Sequence, residues 1–156
     1  MRFVDVSNLQ PTLTPDRLTA LWSAGIRGVV VGLQYPGAPY PRGNAHENIE
    51  ALDADGRFIV AAYLENTPLA TVISTIYGDP LVPRERLARM PWIAVAVEEG
   101  GGFADEPAIR AQLQSIGMLA GPEAWIYSSP YEFQVLGITA TFPDVKGWCA
   151  DYDGDP

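Results

Sequence analysis

Two carboxylates at the ends of apolar runs set the chemistry this chain can attempt. Glu98 follows the run Trp92-Ile-Ala-Val-Ala-Val97 and opens an acidic, glycine-rich loop, Glu98-Glu-Gly-Gly-Gly-Phe103. Asp5 lies at the end of a shorter stretch, Phe3-Val-Asp-Val6. When parallel strands deliver two such acids to one mouth, one can protonate a leaving oxygen while the other steadies a sugar cation, as glycoside hydrolysis requires. Neighbouring carboxylates and a low-dielectric cleft would raise the pKa of Glu98, which suits an acid catalyst. Each acid also has a plainer reading. Asp5 could pair with Arg2 or Arg27 or cap a neighbouring loop, and Glu98 could be a solvated loop acid beside Glu99. Glu65, two residues beyond Tyr63 at another strand end, is a candidate substitute acid, and its plainer and favoured reading is a surface residue ahead of the next N-cap.

The elements that would position these groups are legible in the hydrophobic pattern. Six apolar runs recur at fairly even intervals, over residues 3–6, 28–33, 58–63, 92–97, 124–127 and 147–150. Most are continuous rather than alternating, the pattern of strands buried on both faces of a parallel sheet. Between them, helical spacing links Leu18, Leu21 and Trp22, then Leu69, Val72, Ile73 and Ile76, then Ile109, Leu113, Ile116 and Leu119. Thr14-Pro15, Thr67-Pro68 and Ser129-Pro130 each put a hydroxyl at an N-cap and proline at the first helical position. Gly25 and Gly56 stand where helices should stop. This alternation predicts an α/β fold, either an open doubly wound sheet or a (β/α) barrel. No internal repeat or linker breaks residues 1–156, which read as a single domain.

Composition narrows the function. A hydrophobic content of 47% and an aromatic content of 10% exclude a disordered chain. The net charge of −9 argues against a nucleic-acid partner. No apolar stretch approaches the roughly 18 residues needed to span a membrane. The N-terminus lacks a basic region followed by a long apolar segment, so no secretory signal is expected; cytoplasmic synthesis, a virion protein and a lysin released at lysis all fit. The lone Cys149 forms no internal disulfide, and the lone His46 makes a histidine metal site or a Ser-His-Asp triad improbable. Neither a G-x-G-x-x-G nor a P-loop pattern occurs, and Glu98 and Glu99 would repel phosphate from the Gly100–Gly102 triplet. Asp151-Tyr-Asp-Gly-Asp155 superficially matches a calcium loop, but its spacing is not that of an EF-hand. No metal or cofactor is expected.

Aromatic residues supply the remaining binding candidates. Trp22 and Trp92 read as packing residues. Tyr35, Tyr40, Tyr127 and Tyr152 fall at strand ends or in loops, where a ring can stack on a sugar face, and Gln34 and Asp151 adjoin them. The segment Tyr35-Pro-Gly-Ala-Pro-Tyr-Pro-Arg42 reads equally as a stiff groove wall and as a proline-rich surface loop.

Five segments in order resemble glycoside hydrolase family 25 lysozymes. Phe3-Val-Asp-Val-Ser-Asn-Leu-Gln10 is similar to that family's opening strand, with its aspartate-valine-serine motif and nearby glutamine. Residues 47–63 resemble its second helix and third strand, and Trp92 to Gly102 the strand that carries an Asp-x-Glu pair. Trp125-Ile-Tyr-Ser128 and Trp148-Cys-Ala-Asp-Tyr152 resemble the two strands that follow. The resemblance implies a (β/α) barrel-like parallel sheet of about six strands, TIM-barrel-related and incomplete, since an eight-stranded barrel takes about 250 residues. It implies cleavage of the β-1,4 bond after N-acetylmuramic acid in peptidoglycan, without a metal. It assigns Glu98 as general acid and Asp5 as the first active-site aspartate, with Tyr63, Tyr127 and Tyr152 lining the glycan groove. Ala96 stands where the pair has its aspartate. The expectation is therefore a muramidase-type domain with catalysis weakened or lost, or else a non-catalytic glycan-binding or structural module of a phage particle or cell-wall assembly. An open sheet edge would leave room for a second copy or a partner chain.

Overall fold

Each of the six apolar runs becomes a strand of one parallel sheet. The computed structural model describes residues 1–6, 11–33, 45–65, 68–73, 75–76, 79–80, 82–97, 105–135 and 137–149. Along the chain run β1 (Arg2–Val6), α1 (Pro15–Ser23), β2 (Ile26–Gly32), α2 (Ala45–Asp55), β3 (Ile59–Leu64), α3 (Leu69–Ile73), β4 (Thr75–Ile76), β5 (Asp79–Pro80), α4 (Arg84–Leu87), β6 (Trp92–Ala96), α5 (Glu106–Gly117), β7 (Glu123–Ser128), α6 (Pro130–Val135), α7 (Ile138–Thr141) and β8 (Lys146–Cys149). The main sheet has the order β1-β2-β3-β6-β7-β8, and every neighbouring pair is parallel. It curls into an open half-barrel with helices between the strands. Of the two architectures the pattern allowed, the barrel-like one is found, as an open sheet. Strands β1 and β8 form its edges among the described residues.

Side-chain alternation divides the strands between two faces. Val29, Val31 and Leu33 of and after β2, Val60, Ala62 and Leu64 of β3, and Ile93 and Val95 of β6 pack into one large core. That core also takes Leu18 of α1, Ile49 and Leu52 of α2, Leu69 and Val72 of α3, Leu87 of α4, and Ile109 and Ile116 of α5. The alternate residues, Val30, Ala61, Tyr63, Trp92, Ala94, Ala96 and Tyr127, form a second cluster to which only strands contribute. Helices therefore cover the convex face and aromatic rings fill the concave one. Because β2, β3 and β6 are buried on both sides, their sequences are continuous apolar runs rather than alternating ones.

Local punctuation follows the expected chemistry at most ends. The Thr14 hydroxyl accepts the Arg17 N–H at 3.4 Å, and Pro15 opens α1. Gly25 and Gly56 adopt φ of +83° and +70°, a left-handed conformation that glycine reaches without a Cβ clash. Pro130 opens α6, whereas Thr67 lies outside the described residues. One stripe is shorter than its spacing predicts. Helix α3 stops at Ile73, and Ile76 enters the antiparallel β4–β5 pair, opposite Asp79. Ile73, Thr75 and Ile76 are β-branched, and such side chains crowd a helical turn but sit easily in a strand.

Two buried amides tie helices to the backbone at or just ahead of the start of a neighbouring helix. Asn48 of α2 accepts the Leu13 N–H at 2.8 Å, and Gln112 of α5 accepts the Leu69 N–H at 2.9 Å. Each satisfies a backbone donor that water cannot reach. Replacing Asn48 by alanine should strand the Leu13 N–H and lower stability by about 1–3 kcal/mol. Urea unfolding will check this, and a midpoint equal to that of the unsubstituted chain would show the bond to contribute nothing.

Candidate functional site

In an all-parallel sheet every strand ends at the same rim, so the residues at those ends gather regardless of their separation in sequence. Asp5 is the penultimate residue of β1. Val4 and Val6 on either side join the helix-covered core, whereas Phe3 packs with the aromatic cluster. Alternation therefore places Asp5 on the concave face with Phe3. Burial pushes its carboxyl above the ordinary range, and its own backbone N–H pulls more weakly the other way. The arginines that could have neutralised it bind elsewhere. Arg2 donates to the Ala24 carbonyl at 3.4 Å, and Arg27 donates to the Trp22 and Ile26 carbonyls at 2.8 and 2.9 Å while covering the Trp22 ring. Asp5 is thus an unpaired, half-buried acid among the described residues.

The concave face is a continuous aromatic surface. Tyr63 and Tyr127 stack with ring centroids 5.0 Å apart, and Tyr127 leans on Trp148 at the same distance. Trp92 stacks on Trp125 at 4.7 Å and touches Trp148 and Phe3 at 5.5 and 6.2 Å. Tyr63 and Tyr127 are 4% and 2% exposed, so they form a floor, while Trp125 and Trp148 are half-buried. Gly32 makes room for this floor, since a Cβ there would lie 2.7 Å from the Tyr63 hydroxyl oxygen. Trp92 packs as expected, but on the concave side rather than under a helix. Trp125 and Trp148 are the aromatic groups that sequence reasoning undervalued. The signal was present, because both alternate in phase with the inward-facing residues of their strands.

Hydrogen bonds past the strand ends hold the rim. The Val97 N–H donates to the Tyr127 carbonyl at 2.9 Å, and the buried Ser128 hydroxyl donates to the Val97 carbonyl at 2.6 Å. The Leu33 N–H donates to the Tyr63 carbonyl at 2.7 Å. These contacts anchor the backbone immediately before Glu98 and Gln34. Glu98 itself, with Gln34, Tyr35, Asp151 and Tyr152, lies outside the described residues. Of the sequence candidates, Asp5, Tyr63 and Tyr127 share the concave face.

Glu65 differs from its sequence reading. It is half-buried rather than a surface residue, and its Oε2 is buried with no hydrogen-bond partner among the described residues. Burial pushes its carboxyl up as well. The cause is its place one step beyond Leu64, where alternation turns the side chain away from the helices. Leu64 is in register with Val95 and Ala96 with Tyr127, so Glu65 lies next to Ala96 at the rim. Among the described residues no group of three or more His, Cys, Asp or Glu gathers that could hold a metal ion. No described helix is long and apolar enough to cross a membrane.

This half-barrel has a solved counterpart. The modular autolysin LytC of Streptococcus pneumoniae, in complex with a synthetic peptidoglycan ligand, matches 98% of this chain with a TM-score of 0.62 and 13% sequence identity. A second structure of the same autolysin at 1.6 Å resolution matches equally. The chain spans 38% of the length of the autolysin chain. No family model and no curated protein matches the sequence. The likeness is one of fold.

A raised carboxylate pKa has a definite sign in the stability of this fold. A group whose folded pKa lies above its unfolded value favours folding while protonated, and that advantage is lost as pH rises from the unfolded value through the folded one. For Asp5 the window opens at the ordinary aspartate value of 3.8. The neutral Asp5→Asn variant should therefore gain melting temperature over the unsubstituted chain at pH 7, by a few degrees, and less at pH 4. Calorimetry at both values decides; an identical difference at the two pH values would show that Asp5 is not held in a desolvated place.

Proposed function

We propose that residues 1–156 form a peptidoglycan-directed domain of the muramidase type, related to glycoside hydrolase family 25, with catalysis weakened by Ala96. The observation that carries this reading is the likeness in fold, over 98% of the chain, to an autolysin whose structure is in complex with a synthetic peptidoglycan ligand. The ordered run of motifs from Asp5 to Tyr152 supports it, as does an unpaired acid beside an aromatic floor at the strand-end rim.

In this reading Glu98 donates a proton to the glycosidic oxygen between N-acetylmuramic acid and the next sugar. Asp5 stabilises the oxocarbenium-like state or orients the acetamido group. Tyr63 and Tyr127 floor the groove, and Tyr152, Asp151, Gln34 and Tyr35 are further candidate substrate-binding residues. Aromatic floors suit glycans because the C–H faces of a sugar ring bury apolar area against them while the hydroxyls stay at the polar edges. Ala96 removes a carboxylate beside the acid, and losing one positioned catalytic group costs a factor of about 10² to 10⁴.

That same alanine favours a second reading, in which the domain binds glycan without cleaving it. Incubation with purified peptidoglycan separates the two. Slow release of reducing ends that disappears in Glu98→Gln, with retention on insoluble peptidoglycan preserved, is the expected result. Retention without release would establish the binding module. A chain that neither cleaves nor is retained would end both readings.

A further inference from the structure

The rim carries a second carboxylate that the assignment above does not use. Glu65 follows β3, and register places it beside Ala96, with Tyr127 on the far side of Ala96. The methyl group of Ala96 is fully buried, so the neighbouring strand position offers no polar group to Glu65. One carboxylate oxygen is nevertheless withdrawn from solvent with no donor among the described residues. Leaving a buried acceptor empty is unfavourable, and native structures rarely do so without a functional or solvent explanation. The side chain sits where the concave aromatic floor meets the strand ends, two residues beyond Tyr63 in sequence.

We propose that Glu65 is a substrate-contacting carboxylate of this groove, its buried oxygen accepting a hydroxyl or amide hydrogen of a bound N-acetylated glycan beside Ala96. The proposal rests on the glycan-directed reading above and deepens it. An N-acetylated sugar suits the place because its O–H and N–H groups satisfy a carboxylate oxygen while its apolar face meets the aromatic floor. Burial already disfavours the charge on Glu65, so a donor that arrives with the ligand stabilises the ionised form. Glycan binding and ionisation of Glu65 are thereby coupled, and binding strengthens as pH rises through the pKa of this group.

Fluorescence titration of the whole chain with a soluble N-acetylglucosamine–N-acetylmuramic acid tetrasaccharide, from pH 4 to 8, tests this. Trp92, Trp125 and Trp148 line the concave face and report occupancy. The expected result is an affinity that rises with pH, and a Glu65→Gln variant that binds about ten-fold more weakly near neutrality with a flatter pH profile. Carbon-13 NMR of the unsubstituted chain provides a readout independent of the variant's folding. The titration midpoint of the Glu65 carboxyl should fall when the tetrasaccharide is added. Unaltered affinity and profile in Glu65→Gln, or an unmoved midpoint in a chain that does bind glycan, would overturn the role of Glu65 and leave the glycan-directed reading standing. A chain that binds no tetrasaccharide and is not retained on peptidoglycan overturns that reading, and this proposal with it.

Discussion

Everything at the rim depends on the period-two alternation of strands that all point the same way. A strand sends successive side chains to opposite faces, so a parallel sheet covered by helices on one side collects every second residue on the other. In this chain that remainder is Phe3, Val30, Ala61, Tyr63, Trp92, Ala94, Ala96, Trp125, Tyr127 and Trp148. Shared direction then places the final inward residue of each strand at one end. Asp5 and Glu65 are 60 residues apart in the chain, yet both stand towards that end on the same face. A one-residue slip of β1 would move Asp5 into the helix-covered core, where Val4 and Val6 now pack.

The same geometry sets a conflict between stability and chemistry. Asp5 and Glu65 are each pushed towards the neutral form by burial, and neither makes an ion pair among the described residues. Two exposed acids elsewhere behave in the opposite way. Asp55 is held low by the Arg57 guanidinium and Glu123 by the Lys146 ammonium, both in solvent. Exposed pairs of this kind contribute little to folding and report only local attraction. Burial therefore disfavours charge at these two rim positions, and rigid support accompanies that. Ser128 and the Val97, Leu33 and Tyr127 backbones lock the strand ends together just outside the regular ladder. A carboxylate held in an apolar, preorganised setting is suited to proton transfer or to hydrogen bonding a neutral ligand, at some expense of fold stability.

The aromatic floor also explains how an open half-barrel keeps its concave side from being an empty trough. A closed barrel fills its interior with layers of side chains from all strands. Here the large rings of Trp92, Trp125, Trp148, Tyr63 and Tyr127 stack on one another and bury the small residues Ala61, Ala94 and Ala96 beneath them. Small residues in the central strands and large ones alongside are complementary choices, because bulk at both sets of positions would not fit the curve. Gly28 and Gly32 continue that logic, each vacating space for an inward ring, Phe3 and Tyr63 respectively.

By itself the sequence determined the strands of the main sheet and several of the helices between them, while its pattern did not announce α4, α7 or the β4–β5 pair. Continuous apolar runs announced all six sheet strands, Thr14-Pro15 the start of α1, and Gly25 and Gly56 the ends of two helices, because burial and capping leave local signatures. It also placed Asp5 at a strand end. Only the tertiary structure decided what these residues meet. A continuous apolar strand does not reveal which of its faces lies under helices, so Trp92 could not be assigned to the concave side from its neighbours in the chain. Nor could local pattern show that Arg2 and Arg27 turn away from Asp5, or that Glu65 comes to rest beside Ala96. Those outcomes depend on registers between strands some 30 residues apart in the chain. Register is a property of pairing and packing rather than of any one segment, and it is where the candidate site is made.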